Sequence, residues 1–430
     1  AAGLQATVNS SQPDGKVDIS IRGAGNPIYV VDGIVMPSNT IGLGSATGLP
    51  SNVNRAGLAG LNPADIESVE VLKDASATAV FGAKGANGVI IVTSRTGRTG
   101  KPRMNVSLSY GLDFPTKIPN HISSAQTASL LNVALKNVQS YGSLIPRSEI
   151  DEYARPSSRL NKIRYPDNDW FDIVLRNCAQ TVNANYNVSG GSERVKYFLS
   201  LGYTHEGSIF RDFSEWDHAN FRYDRINYRS NLDFDVTKST KLSVKVGGVL
   251  GIRDKPTGAS VSGLFNMMYS ASPMMYPAYF PAWVLDEIPD KDYPDATGDR
   301  ISSSRTAYFK NVQATLSTGD FDQITDNKLY TDLNLVQKLD FITKGLSLKA
   351  NVSLSTYYSR VSQTAANTNP SFYIDWEKYD TGEGNPWIYS AASDVVFEQT
   401  PYAVTRGSME NTYYATFYWE GAVDYNRTFG

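Results

Sequence analysis

From residue 104 onward the chain alternates apolar and polar side chains with the period of two that belongs to β-strands. Met104, Val106, Leu108 and Tyr110 stand opposite Asn105, Ser107 and Ser109. The pattern recurs in Val182, Ala184, Tyr186 and Val188 against Asn183, Asn185 and Asn187, and in Tyr197, Leu199, Leu201 and Tyr203. Ile226, Tyr228, Leu232, Phe234 and Val236 face away from Asn227, Arg229, Asn231, Asp233 and Asp235; Leu242, Val244, Val246, Leu250 and Ile252 do so from Lys241, Ser243 and Lys245. With Leu329, Leu333 and Leu335, then Leu346, Leu348, Ala350, Val352 and Leu354, and finally Tyr413, Ala415, Phe417, Trp419, Val423 and Tyr425, about eight strands are expected.

The connections alternate between short and long. Segments 189–194, 237–240 and 341–345 are tight turns, whereas 111–181, 205–219, 253–327 and 357–411 are long. Outer-membrane barrels sort their loops this way, short on the periplasmic side and long on the extracellular side; a soluble sandwich has no reason to. Asn, Ser, Lys, Asp and Arg on the polar face suit a wet lumen, and tyrosines near strand ends suit interfacial girdles. One amphipathic helix is expected over 123–139, inside the first long loop, too short and too polar to span a bilayer.

The first hundred residues read differently. Segment 17–22 alternates, and 27–35 (PIYVVDGIV) sets Asp32-Gly33 between two β-branched runs, a hairpin signal. Asn62 and Asp65, with Pro63 at the favoured first helical position, predict a short helix over 64–69, followed by a strand over 69–73. A second helix is expected over 74–80, capped by Asp74 or Ser76, before Gly82, Gly85 and Gly88 release the chain into a buried strand over 89–94 (VIIVTS). The run GAKGANG lacks the Lys-Ser/Thr ending of a phosphate-binding loop and follows a helix instead of opening one, so it reads as tight turns in a compact α/β unit.

Composition narrows the classes further. With 41% hydrophobic residues and no apolar stretch of about 18, the 430-residue chain is not a helical membrane protein. Its 26 Tyr, 17 Phe and 34 Gly fit an all-β protein. Forty basic against 43 acidic residues give a net charge of −3, and no nucleic-acid partner is implied. The lone Cys178 excludes an internal disulfide and a Cys-based zinc site and reads as packing. His121, His205 and His218, without a GxSxG or HExxH motif, leave catalysis little to work with, and Asp290 and Asp292 in a Pro-rich loop read as solvated turn residues. No catalytic, metal or cofactor site is expected. Ala1 is neither an initiator Met nor part of a signal peptide, so the chain is expected to be a mature or truncated piece.

Several runs resemble the SusC/RagA-like TonB-dependent outer-membrane transporters. They are Tyr29-Val30-Val31-Asp32-Gly33, Leu61-Asn62-Pro63, Asp65-Ile66-Glu67-Ser68, Val71-Leu72-Lys73-Asp74-Ala75-Ser76-Ala77-Thr78 and Gly85-Ala86-Asn87-Gly88-Val89-Ile90. Further along, Asp169-Trp170-Phe171-Asp172, Val188-Ser189-Gly190-Gly191-Ser192, Tyr197-Phe198-Leu199-Ser200-Leu201-Gly202-Tyr203, Glu206-Gly207 and 225–233 are arranged as in SusC-like barrels. In that family a signal peptide, a small β-sandwich extension, a TonB-contacting box and the start of the plug come earlier, so the chain is expected to begin partway through the plug.

The resemblance implies a membrane all-β fold: a partial transmembrane antiparallel β-barrel, about 8 of about 22 expected strands, with an N-terminal α/β plug domain in the lumen. Residues 1–100 would be the plug and 101–430 the first part of the wall. Open sheet edges do not occur in hydrocarbon, so further strands are expected to close the wall. The implied function is TonB-dependent, energy-coupled import of an oligosaccharide or peptide across the outer membrane of a Bacteroidota-type bacterium. A SusD-like surface lipoprotein would act as lid, the TonB–ExbB–ExbD complex as energy source, and outer-membrane lipid as surroundings.

Asp32, Gly33, Asn62, Pro63, Lys73, Asp74, Gly82, Gly85, Asn87 and Gly88 would be structural plug positions, with Lys73 and Asp74 pairing or capping. Tyr276, Tyr279, Trp283, Tyr373, Trp376 and Trp387 are the candidate contacts to cargo or lid, because flat rings stack on sugar faces or peptide side chains. The alternatives are an outer-membrane barrel enzyme, or a non-transporting surface adhesin, against which the plug argues.

Overall fold

The computed structural model describes residues 4–8, 17–21, 23, 27–35, 61–73, 79–214, 217–257, 259–292, 294, 298–302, 311–317, 320–365, 372–389 and 405–427. At the N-terminus β1 (Leu4–Val8) and β2 (Val17–Ile21) form an antiparallel ribbon. A four-stranded sheet follows, built from β3 (Ile28–Val31), β4 (Ile34–Val35), β5 (Ile66–Leu72) and β6 (Val89–Ser94) in the order β4-β3-β6-β5. β6 is parallel to β3 and antiparallel to β5, and its Val89, Ile90 and Val92 are buried, as the apolar run over 89–94 anticipates.

The expected helix over 64–69 does not form. Asn62 does cap a helical turn, its Oδ1 accepting from the Ala64 N–H, but that turn is a single 3₁₀ turn, Pro63–Asp65. β5 begins at Ile66 because the β-branched Ile66, Val69 and Val71 gain a ladder against β6, shifted once between Ile66 and Ser68, which outweighs the local helix-start signals. Of the second expected helix, 74–78, including Asp74 and Ser76, lie outside the described residues; Ala79–Asn87 is a run of 3₁₀ turns broken at Gly82. Gly88 turns the chain into β6 at φ +94°, where a Cβ would lie 2.7 Å from Ile21 Cδ1, so close approach and backbone conformation both require glycine.

The rest of the chain is dominated by one antiparallel meander. Its strands are β7 (Gly100–Asp113), β8 (Ala179–Gly191), β9 (Val195–Glu206), β10 (Arg222–Asp235) and β11 (Thr240–Pro256). After a loop hairpin of β12 (Tyr279–Phe280) and β13 (Arg300–Ile301) come β14 (Phe321–Lys338) and β15 (Leu346–Ala365). A second loop hairpin, β16 (Phe372–Ile374) and β17 (Trp387–Tyr389), precedes β18 (Thr405–Tyr425). The eight long strands pair in chain order, with β7 and β18 at the two edges. Turns at one end are short and all four long loops lie at the other. The strand lengths of 18, 20 and 21 residues in β14, β15 and β18 exceed the 9–11 or so that cross a bilayer, so these strands project past the hydrocarbon.

The loops carry their own structure. The first holds α1 (Ser124–Asn137), α2 (Arg147–Ala154), α3 (Arg159–Arg164) and α4 (Trp170–Val174). The third holds α5 (Val261–Ser270), α6 (Trp283–Glu287) and α7 (Val312–Leu316), and the fourth α8 (Trp376–Thr381). α1 is the amphipathic helix expected over 123–139, closed at its start by a capping box of Ser123 and Gln126. Two apolar clusters consolidate the loops, one around Trp170, Leu264, Tyr276 and Val312, the other around Phe280, Val284, Phe372 and Trp387. Among the described residues no helix is long and apolar enough to cross a membrane, which says nothing of strands that cross. The outward face of the wall leaves Leu201, Leu333, Phe417, Trp419 and Val423 exposed, and the N-terminal sheet sits against the opposite, polar face.

Candidate functional site

The seam between the N-terminal sheet and the wall is where buried charge concentrates. Its centre is Asp32, the first residue of a two-residue hairpin turn between β3 and β4, with φ +53° followed by Gly33 at +93°. Asp tolerates this left-handed geometry because its short polar side chain finds local hydrogen bonds. Its carboxylate accepts from the Ser94 backbone N–H at 2.9 Å and from the Ser94 hydroxyl at 2.6 Å, which fixes it against the end of β6.

From the wall, Arg229 of β10 approaches Asp32 at 3.4 Å and Lys245 of β11 approaches it at 3.2 Å. The Asp32 side chain is only 2% exposed and that of Arg229 only 8%, so this is a buried charge cluster, not a surface pairing. Burial pushes the Asp32 carboxyl up, but Lys245, the two Ser94 hydrogen bonds and Arg229 outweigh it and hold the group below the ordinary carboxylate range.

Arg229 is shared with Asp65, 3.8 Å away on the Pro63–Asp65 turn. Here burial dominates: the Asp65 carboxyl is raised, and Ser200, Arg229 and Arg95 offset this only in part. Two carboxylates facing one guanidinium are thus pushed in opposite directions, because Asp32 collects direct hydrogen bonds while Asp65 Oδ1 is buried without one.

Neutral contacts extend the seam along four consecutive strands. Asn62 Nδ2 donates to Asn185 Oδ1 of β8 at 2.6 Å, and Asn231 of β10 donates from Nδ2 to both Ser94 Oγ at 2.9 Å and the Arg95 carbonyl at 2.7 Å. Gly202 of β9 lies beneath Asn62 with no room for a Cβ, and the Gly97 Cα faces the Tyr197 backbone equally closely. Beside Arg229 and Lys245 a narrow gap lies between Val31, Ile34, Val35 and Leu61 of the sheet and Tyr330, Asp332, Ser353 and Tyr418 of the wall.

Of the expected plug positions, Asp32, Gly33 and Asn62 lie in this seam, Pro63 opens the turn that carries Asp65, and Gly88 packs within the N-terminal sheet. Lys73 follows β5, and Gly82, Gly85 and Asn87 lie in the run of 3₁₀ turns. The wall partners Arg229, Lys245, Asn231, Asn185 and Ser200 were not among the expected site residues. The available signal was Arg229 and Lys245 on the polar side of strands, among Asn, Ser and Asp.

The loop aromatics fall into two groups. Tyr276 and Trp387 are core residues of the loop clusters: Tyr276 packs 5.7 Å from Trp170, and Trp387 packs against Phe280 and Phe372 while its Nε1 donates to the Ile288 carbonyl. Tyr279 is exposed and Tyr373 half-buried. Trp283 lies under Arg159 at 4.3 Å, and Trp376 lies under Arg164 at 5.3 Å.

Asp290 corrects the expectation of solvated turn carboxylates. It is buried, ion-paired with Arg300 at 2.8 Å and bonded by Asn385, because two loops fold over it; Asp292 accepts from the same Asn385 side chain. Burial raises the Asp290 carboxyl, but Arg300, Asn385 and the Asp292 N–H hold it below its ordinary range. Each histidine ring nitrogen that bonds a side-chain acid meets an aspartate, His121 with Asp167, His205 with Asp224 and His218 with Asp254, and none meets a serine or cysteine among the described residues. No group of three potential metal ligands occurs among the described residues.

The seam and the meander have counterparts. Residues 1–89 match the TonB-dependent Receptor Plug Domain. TonB-dependent receptor P26 of Formosa agariphila is 31% identical over 255 residues, which cover 57% of this chain and 22% of that protein. TonB-dependent receptor SusC of Bacteroides thetaiotaomicron is 28% identical over 267 residues, 58% of this chain and 24% of SusC. The chain therefore spans about a quarter or less of the length of these relatives. Among solved structures, the RagAB peptide importer in its open-open state aligns with a TM-score of 0.64 at 16% identity, covering 99% of this chain and 50% of the other. A further RagAB structure aligns at 0.60 and 21% identity over 86% of this chain and 40% of that one, and both likenesses concern the fold.

A plug sheet seated on the polar face of an antiparallel partial barrel defines a plugged outer-membrane receptor. Residues 1–89 are a TonB-dependent receptor plug domain, and the chain is similar to SusC/RagA-like TonB-dependent receptors of the outer membrane.

Proposed function

We propose that the chain is the plug and first wall segment of a TonB-dependent transporter that imports a large nutrient, an oligosaccharide or a peptide, across the outer membrane. The observation that carries this reading is the buried Asp32–Arg229–Lys245 cluster, which seals the N-terminal sheet onto the lumen side of the wall. A sealed seam stops leakage through the lumen, and it requires work to open, which fits energy supplied through the TonB–ExbB–ExbD complex.

In this reading residues 1–100 act as the plug and 101–430 as wall and loops. A SusD-like surface lipoprotein covers the loops as lid, in keeping with the SusC relative and the RagAB fold. Because RagAB is a peptide importer, peptide stands beside oligosaccharide as a cargo class. Tyr279, Tyr373, Trp283 and Trp376 are the better placed of the six aromatics to meet cargo or lid, since Tyr276 and Trp387 are packed in loop cores.

Purification of the intact transporter from native membranes, with mass spectrometry of what accompanies it, tests the proposal. A surface lipoprotein and a bound oligosaccharide or peptide are expected. Recovery of the transporter alone and unliganded overturns the lid, and substrate turnover by the purified protein without a membrane gradient overturns transport in favour of catalysis.

A further inference from the structure

We propose that the β12–β13 hairpin of the third long loop and the β16–β17 hairpin of the fourth form one cooperative unit with Arg300 as its keystone, and that α3 of the first loop is clipped onto that unit by Arg159 and Arg164. Arg300 lies on β13, in the loop that joins β11 to β14, yet its guanidinium sits in the corner formed by two perpendicular rings of the following long loop, 4.5 Å from the centre of Phe372 and 4.6 Å from that of Trp387. Both rings belong to the β16–β17 hairpin. The charge is answered by Asp290 at 2.8 Å, with side-chain exposures of 6% and 0%, and Asn385 then bridges Asp290 to Asp292. Ser302 and Phe372 form a parallel bridge, so the β12–β13 and β16–β17 hairpins are joined through backbone as well.

A buried cation held against two aromatic rings keeps that attraction only while both rings stay in place. If the fourth loop moves off, Asp290 and Arg300 stay paired within the third loop, but Arg300 loses both rings and Asp290 loses the Asn385 bond, and the loss of these contacts opposes that motion. The β12–β13 and β16–β17 hairpins therefore part only by giving up these contacts together. The first loop joins at two points on α3: Arg159 pairs with Glu287 at 2.6 Å while covering Trp283, and Arg164 forms a bidentate pair with Asp380, at 2.8 and 2.7 Å, while lying over Trp376. Ile163, between them, is buried in the same apolar cluster as Phe280 and Phe372. The consequence is that exposed Tyr279 and half-buried Tyr373, each adjacent in sequence to a buried ring of the clasp, are held at a fixed spacing.

Hydrogen–deuterium exchange on the intact, full-length protein tests this, and it needs no knowledge of the cargo. Arg300→Lys keeps the charge but loses the broad guanidinium contact with both rings. Exchange is expected to rise about tenfold both in 279–301 and in 372–389, with the 321–365 strands unchanged, as for opening of one cooperative unit. A rise confined to the residues flanking position 300 overturns the keystone. The clip is tested at an exposed pair that should leave folding intact: Arg164→Asp is expected to raise exchange in 376–389, and the reversed pair Arg164→Asp with Asp380→Arg to restore protection. No rise in the single variant, or no recovery in the double, overturns the clip.

Discussion

At the scale of single residues, the seam poses a balance between three charges. Removing one member of a buried ion pair leaves the others unpaired, so Arg229→Met is expected to cost about 3–5 kcal/mol of plug docking. Combined with Asp32→Asn the loss should be smaller than the sum of the two single effects, and the thermal midpoint of the purified receptor measures it. The two carboxylates give a pH signature of opposite signs. Asp32 is held below its ordinary value, so its contribution to docking is complete above about pH 4 and is lost as pH falls through the depressed pKa. Asp65 is raised, so its contribution is complete below the ordinary value and is lost as pH rises through the raised one. At neutral pH, Asp32→Asn is therefore expected to lower the midpoint while Asp65→Asn leaves it unchanged or raises it. An equal drop in both would show that direct pairing with Arg229 outweighs the burial of Asp65. Asp32 stood out in the sequence as a turn residue, and its Asp-Gly step does make the turn. Its charge partners did not stand out, because they lie 197 and 213 positions away and only the fold brings them to it.

At the scale of elements, alternation carried most of the information. All eight wall strands and α1 follow from period and capping, since each of those signals lies within a few residues of where it acts. The helix expected over 64–69 shows where local signals end: Asn62 and Pro63 do begin a helical turn, but the ladder with β6, a partner some twenty residues on, claims Ile66 onward. The hairpin β12–β13 and its union with β16–β17 were likewise hidden, because strands of two or three residues have no period to read. The wall's two faces make a direct test. Val352 and Asn351 are neighbours on β15, the first opposite Trp419 on the apolar face and the second opposite Glu420 on the polar face. Val352→Lys is expected to cost about 2–4 kcal/mol when the protein is folded in bilayers, whereas Asn351→Lys, beside an acid in a wet lumen, should change little. Unfolding titrations in lipid vesicles compare the two, and equal penalties would mean that the assigned faces are wrong.

At the scale of the whole molecule, the arrangement separates two jobs between two ends of one wall. The loops hold most of the buried apolar clusters outside the N-terminal sheet, so the extracellular end is built to keep a shape. The seam is held chiefly by hydrogen bonds and ion pairs, which are directional and fail together once the groups separate by a few ångströms. A polar joint can therefore be firm at rest and still release under a pull, where an apolar joint of the same area would slide and re-form. If transport requires that release, tethering the joint must block passage without touching recognition at the loops. Asn62 and Asn185 meet across it at 2.6 Å, and the chain's lone native cysteine, Cys178, lies elsewhere, before β8. In the full-length protein, Asn62→Cys with Asn185→Cys, joined by a short reducible thiol cross-linker, is expected to keep surface binding of labelled cargo while abolishing uptake, and reductant should restore uptake. Undiminished uptake in the cross-linked protein would mean that the passage opens on another side of the plug, for which the gap between Val35 and Tyr418 is the open alternative, and the seam would then be a fixed hinge.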